Sequence, residues 1–328
     1  MSTPEKKIER EIIKFLSKSI SQFFINMDTK DLISIEEIRI RANRPIMVIN
    51  NQGDWFFDSN NNLTKKLNNS YIINQSDIIN TLLLMSENSI YAYQDEIKNG
   101  FLTIKGGHRV GIVGKVVMEN NLIKTIKDIS GLNIRVSREI IGSSNKIIKH
   151  LINSKNEVCN TLIISPPMCG KTTILRDIAR VLSEGIKELD FKGQKVLIID
   201  ERSEIAACFK GVPQNQVGVR TDVLDSCPKS IGMQMVLRSM SPQIIITDEI
   251  GNKGDKDAIL SLLNGGVKII TTVHGYNVSE LKMRYEILSL IQEKVFEKFV
   301  VLSNREGSGT IEEIADGTLF NDTLFNGK

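Results

Sequence analysis

The chain has 328 residues, 41% of them hydrophobic and 25% charged, which excludes a wholly disordered polymer and leaves room for two domains of ordinary size. Lys and Arg number 42 against 39 Asp and Glu, and the formal net charge of +3 falls short of the basic excess that a phosphate-backbone binder usually carries. Four cysteines, Cys159, Cys169, Cys208 and Cys227, show no C-x-x-C spacing, so a reducing compartment is expected, without a zinc site or disulfide framework. The first residues, MSTPEKKIEREIIKFL, hold no apolar signal region, and no run reaches the length of a membrane span. A soluble or at most peripheral protein is the expectation.

Residues 5–27 read as an amphipathic helix, with Ile8, Ile12, Leu16, Ile20 and Phe23 near helical spacing among Lys and Glu. Alternation in EEIRIRANRPIMVIN on either side of the turn at Asn43–Pro45 predicts strands over 37–58, followed by NQGD turning into WFF. Residues 59–70 are polar and Asn-rich, a surface loop. A helix begins near Ser76, with an Asp in its first turn. GFLTIKGGHRVGIVGK (100–115) is a hairpin about Gly106-Gly107, and His108 is a strand or turn residue of it. A first, α+β domain therefore spans 1–140, and 141–157 reads as a connecting turn and helix.

From 158 the pattern becomes short apolar strands between amphipathic helices: TLIIS, KTTILRDIARVLSE, KVLIID, SIGMQMVLRSM, QIIITDE, DKDAILSLLN, VKIITTVH. That alternation predicts an α/β domain over 141–328, built on a parallel sheet covered on both faces. FVVLS and GTIEEIA close it as an antiparallel pair.

The chemistry concentrates at strand ends. Ser165, Pro166, Pro167, Met168, Cys169, Gly170, Lys171, Thr172 and Thr173 lie between a buried strand and a helix, where a phosphate-binding loop belongs. Backbone N–H groups there would face phosphate, Lys171 would reach the β- and γ-phosphates of ATP, and the Thr172 hydroxyl would ligate Mg²⁺. The loop departs from G-x-x-x-x-G-K-T in having Ser165 for the first Gly, and its two prolines donate no hydrogen bond. The strand IIIT ends in Asp248 and Glu249, placed to hold the Mg²⁺ shell and to polarise water, respectively. A second strand, VLIID, ends in Glu201. If it pairs with the phosphate-loop strand, Glu201 rivals Glu249 as the catalytic base. Thr271-Thr272-Val273-His274 closes another core strand, where His274 would sense the γ-phosphate or sit as a satisfied core histidine.

This order resembles the secretion ATPases of type II and type IV systems, whose Walker A loop, Asp box, Walker B strand and His box it follows. Leu237-Arg238 through Pro242 to Glu249 looks like that family's LRxxPDxIxxxE signature, with Gln243 in place of Asp and Asp248 in place of Gly. A closer resemblance is to the stage III sporulation AA family of endospore-forming Firmicutes. It is carried by EEIRIRANRPIMV, GGHRVGIVG, LNIRVSREIIG, SPPMCGKTTILRDIAR, DERSEIA and GVRTDVLDSCPK, in order over residues 36–315. The resemblance implies a RecA-like P-loop NTPase core with a smaller PAS-like α+β amino-terminal domain. It further implies a homo-hexameric, Mg²⁺-dependent ATPase of the mother-cell cytoplasm, peripheral at the forespore membrane. Its partners would be the other stage III sporulation AA–AH membrane proteins, in a secretion-like channel.

Two other readings compete: a nucleic-acid motor, opposed by the near-neutral charge and lack of an aromatic stacking series, and a nucleotide-gated scaffold, favoured by Ser165 and the prolines. An arginine acting in trans is expected among Arg202, Arg220 and Arg238. Arg220 is preferred because GVRTDVLDS reads as a polar loop free to cross an interface.

Overall fold

In the computed structural model, which describes residues 4–58, 60–67 and 70–317, the chain divides into two units, Met1–Arg138 and Glu139–Lys328. The first opens with helices α1 (Pro4–Glu11), α2 (Lys18–Ile25) and α3 (Thr29–Ser34). The single helix expected over 5–27 is broken between α1 and α2 by a 3-10 turn at Ile13–Phe15 and an extended Leu16. Ile12, Ile13 and Leu16 are all buried, although one straight helix would spread them over more than one face. Ser17 fixes the break by donating its N–H to Thr81 Oγ1 at 3.0 Å.

The alternating segments become β1 (Glu37–Arg41), β2 (Met47–Asn50), β3 (Gly53–Phe57) and β4 (Leu63–Thr64). Helices α4 (Gln75–Met85) and α5 (Gln94–Lys98) follow, then β5 (Phe101–Ile104), β6 (His108–Glu119) and β7 (Leu122–Arg135). Their sheet is antiparallel throughout, in the order β4-β3-β2-β1-β7-β6-β5. The hairpin about Gly106-Gly107 forms as expected, both glycines at positive φ. Helix α4 starts at a capping box in which Asn74 and Asp77 satisfy each other's backbone N–H. His108 is a buried strand residue that accepts from Ser137 N and meets Glu11.

In the second unit, 141–157 holds successive turns and a 3-10 turn at Ile148–Leu151 where a helix was expected. Gly142 at φ +85° and the bonds from Gly142 and Ser144 to Asp177 hold that segment in turns. Strand β8 (Thr161–Ser165) leads into α6 (Lys171–Glu184), and a small ribbon of β9 (Gly185–Ile186) and β10 (Phe191–Lys192) follows. Then come β11 (Val196–Asp200), β12 (Thr221–Asp225), α7 (Lys229–Ser239), β13 (Ile244–Glu249), α8 (Lys253–Asn264) and β14 (Lys268–His274). Helix α9 (Tyr285–Gln292), β15 (Lys298–Ser303) and β16 (Thr310–Asp316) complete the described chain.

The sheet order is β12-β11-β13-β14-β8-β15-β16, parallel from β12 to β15 with β16 antiparallel at the edge. Leu162 and Ile164 face a core with Leu197, Ile245 and helices α7–α9, while Ile163 faces one with Ile198, Ile246 and α6. Both faces are dry, so the strands read as unbroken apolar runs.

Two expectations are corrected. The polar loop GVRTDVLDS contains β12, an edge strand paired along its whole length with β11. The strand ending before Glu201 does not pair with the phosphate-loop strand: β11 lies between β12 and β13, and β13 and β14 separate it from β8.

Candidate functional site

Parallel strands end on one side of a sheet, and there the carboxyl ends of β8, β11, β13 and β14 bring the candidate residues together. After β8 the chain turns through Pro166–Gly170. Met168 (φ +60°) is exposed, Cys169 is buried, and Gly170 caps α6 at φ +80°. No side chain caps this helix, so its first-turn N–H groups and dipole face the loop's concavity. Lys171 Nζ donates to the carbonyls of Ser165 (3.2 Å) and Pro166 (3.1 Å), and thus lies inside the loop. Burial lowers its pKa, and the charge of Glu249 opposes that shift. Ser165 is fully buried, with its hydroxyl bonded to Pro166 O at 3.0 Å. Its carbonyl also receives Gly275 N at 3.3 Å and faces His274 Nδ1 at 3.4 Å. Thr172 and Thr173 occupy the first turn of α6, half-buried.

The turn between β15 and β16 lies over the loop: Gly309 N donates to Cys169 O at 3.1 Å, and a Cβ on Gly170 would stand 2.8 Å from Ser308 Oγ. Glycine at 170 thus serves both the left-handed backbone and this close approach.

Asp248 and Glu249 end β13 in different surroundings. Glu249 is exposed, its backbone paired with Thr272 and its carboxylate making no hydrogen bond or ion pair among the described residues, while the capping box of Asn252 and Asp255 anchors the following turn, Asp255 also accepting from Gly251 N at 3.0 Å. Asp248 is mostly buried, and burial raises its pKa against the pull of Lys229 and Arg202. Its Oδ1 lies 3.3 Å from Lys229 Nζ without hydrogen-bond alignment. Thr272 Oγ1 on the neighbouring strand is likewise a buried polar atom without a hydrogen-bond partner. Thr271 Oγ1 donates to Asp248 O at 2.9 Å.

Lys229 is the residue that sequence reasoning missed. It begins α7 with its side chain 9% exposed, and bonds Glu201 as well as facing Asp248. Only a lysine directly after Pro228 at a helix start signalled it. Asp200, also unassigned, is fully buried and pushed up to about 6 by burial, and it accepts from Glu204 N and Ala206 N at 2.9 Å. It shapes the turn that carries Glu201 and Arg202.

Of the three arginines, Arg202 is exposed and near enough for its charge to act on Asp248. Arg220 lies at the opposite end of the sheet, before β12, where its Nη1 donates to Ser183 O at 2.7 Å. Arg238 is exposed in the last turn of α7.

This donor set fits a chain of phosphates at the loop and a hard cation beside Asp248. Among the described residues no group of three His, Cys, Asp or Glu is placed to hold a metal alone.

The family model for sporulation stage III, protein AA matches residues 5–319. The chain belongs to that family. Stage III sporulation protein AA of Bacillus subtilis (strain 168) is 40% identical over 306 residues, covering 93% of this chain and 94% of that one. Two solved structures share the family member's fold at low identity. The ATPase DotB of Yersinia pseudotuberculosis aligns with a TM-score of 0.56 at 14% identity, over 88% of this chain and 78% of its own. The pilus retraction motor PilT with bound ADP gives 0.56 at 13%, over 89% and 84%. Among the described residues no helix is long and apolar enough to cross a membrane.

Proposed function

We propose that this member of the family is a Mg²⁺-dependent ATPase, the oligomeric motor of a secretion-like channel serving endospore formation. The observation that carries the reading is Lys171 inside the loop, its ammonium on two loop carbonyls beside an uncapped helix start. ATP exchanges those neutral carbonyls for phosphate oxygens, and charge-assisted contacts of that kind are the strong ones.

Residues 165–173 hold the phosphates, with N–H donors from Met168 onward because Pro166 and Pro167 lack them. Thr172 and Asp248 would hold Mg²⁺. The cation neutralises charge on the β- and γ-phosphate oxygens. Glu249, its exposed carboxylate unpaired among the described residues, accepts the proton of the attacking water; His274, tied to the loop through Ser165 O, reports on the γ-phosphate. The parallel sheet serves as a RecA-like core and the amino-terminal unit as the PAS-like domain of such motors. A homo-hexamer in the mother-cell cytoplasm, docked on the other stage III sporulation AA–AH membrane proteins at the forespore membrane, is the assembly this reading implies; the near-neutral charge speaks against nucleic acid as a partner.

Phosphate release by the full-length protein with Mg-ATP tests the reading. Lys171→Ala removes the loop's point charge and is expected to abolish binding of a fluorescent ATP analogue and turnover together. A variant that binds and hydrolyses like the wild type refutes the loop assignment.

A further inference from the structure

Two like charges meet where β11 and β13 end. The strands are parallel neighbours, and Glu201, just past β11, and Asp248, on β13, both reach Lys229 of α7. Lys229 lies between them, bonded to Glu201 Oε2 and 3.3 Å from Asp248 Oδ1. Its position is costly on two counts. A lysine side chain 9% exposed has lost most of its hydration, and a cation in the first turn of an 11-residue helix opposes the helix dipole. Burial pulls the Lys229 pKa down, but the two carboxylates more than offset it and the ammonium is held above the ordinary lysine value. The carboxylates facing it offset that cost.

We propose that Lys229 is a positioning residue of the nucleotide site: its ammonium, seated between Glu201 and Asp248, withholds Glu201 from the attacking water and leaves that role to Glu249. The inference rests on the ATPase reading above and deepens it. Glu201 has an oxygen engaged by the Lys229 ammonium and so is not turned to an attacking water. Glu249, one residue beyond Asp248, has no ammonium on its carboxylate among the described residues and lies near enough for its charge to act on Lys171. The same ammonium faces Asp248 Oδ1 at 3.3 Å, at the end of β13.

The test compares kcat, KM and the Kd of a fluorescent ATP analogue for full-length Lys229→Met, Lys229→Arg, Glu201→Gln, Glu249→Gln and the Lys229→Met/Glu201→Gln double variant. Lys229→Met is expected to lower kcat about 10²-fold, the scale of a misplaced reacting group, with analogue Kd changed by less than about threefold. Lys229→Arg, which keeps the charge, recovers most of that loss. Glu201→Gln stays near wild type, because Lys229 still pairs with Asp248, whereas Glu249→Gln loses about 10²-fold or more. The double variant exceeds Lys229→Met alone, since the freed carboxylate is gone.

Wild-type kcat in Lys229→Met, or a large loss in Glu201→Gln with little in Glu249→Gln, overturns the inference while leaving the ATPase reading intact. If Lys229→Met fails to fold, the test passes to Lys229→Arg and Glu201→Gln: kcat near wild type in both supports the assignment, and a 10²-fold loss in Glu201→Gln overturns it. A wild-type protein without any ATP turnover removes the ATPase reading and this inference with it.

Discussion

Asp177→Asn is the substitution whose cost is best worked from the structure. Asp177 lies on α6, the helix that begins at Lys171, with its side chain 2% exposed. One carboxylate oxygen accepts from Gly142 N (3.1 Å) and from Arg180 Nε (3.0 Å) and Nη2 (2.8 Å); the other accepts from Ser144 N (2.8 Å) and Oγ (2.6 Å). Asparagine keeps the shape but turns one oxygen into an NH₂ that faces donors. Either Ser144 N or Gly142 N is then orphaned, at roughly 1–3 kcal/mol, and the charge-assisted bonds from Arg180 weaken by about 1 kcal/mol more. For a unit of this size about 3 kcal/mol corresponds to a fall of roughly 6–12 °C in Tm, measured on the full chain by far-UV circular dichroism. The pH dependence has a fixed sign. Burial raises the Asp177 pKa, but the Ser144, Arg180 and Gly142 bonds outweigh it, and the folded-state value lies below the ordinary one. Its contribution is therefore fully present above the ordinary carboxylate pKa of about 3.9 and is lost as pH falls through the lower folded value. The wild type and Asp177→Asn should differ by a constant amount from pH 6 to 8 and converge below about pH 4. A gap below about 2 °C at pH 7, or one that widens on acidification, refutes the reasoning.

What could be read from the sequence follows from which signals are local. The strands TLIIS, VLIID, IIIT and IITTV are legible because both faces of a parallel sheet are dry, and each is bounded by helix patterns. Strand β12 was hidden because it is an edge strand with Asp222 and Asp225 in it, and edges carry charge by rule. The break in the first helix depends on Thr81, 64 residues from Ser17. Strand order is non-local in the same way: nothing in VLIID says that β13 and β14 stand between it and the phosphate loop. At the site, the loop and the Asp248-Glu249 pair announced themselves by residue type and context. Lys229 did not, because a lysine reads as solvated until the fold shows two carboxylates closing on it.

Gly170→Ala must hold an L-residue at φ +80° and press its Cβ to within 2.8 Å of Ser308 Oγ and 3.3 Å of Gly309 N, so a stability loss of about 1–2 kcal/mol and weaker ATP-analogue binding are expected by thermal melting and fluorescence titration; unchanged affinity argues that the loop does not hold phosphate. A short iodoacetamide pulse at pH 8, read by peptide mass spectrometry, should modify half-buried Cys227 well before buried Cys208, whose thiol burial pushes up to about 12; equal rates in the native protein contradict the packing around Cys208. The arginine supplied in trans is the last expectation. Arg220 precedes a strand rather than lying in a loop, and its guanidinium is bonded to Ser183 O of its own chain. Arg202 is near enough for its charge to act on Asp248 of its own site. Arg238, exposed on α7 with no ion pair among the described residues, is the one free to serve a neighbour. An arginine in that role is worth about 10³–10⁵ in rate in well-characterised switches. Activity per subunit should therefore rise with protein concentration. Arg238→Ala mixed with Lys171→Ala should regain turnover that neither shows alone, because a mixed interface pairs an intact loop with an intact arginine. Rescue by Arg220→Ala in place of Arg238→Ala returns the role to Arg220, and activity independent of concentration with no rescue in any mixture means that each site is complete within one chain.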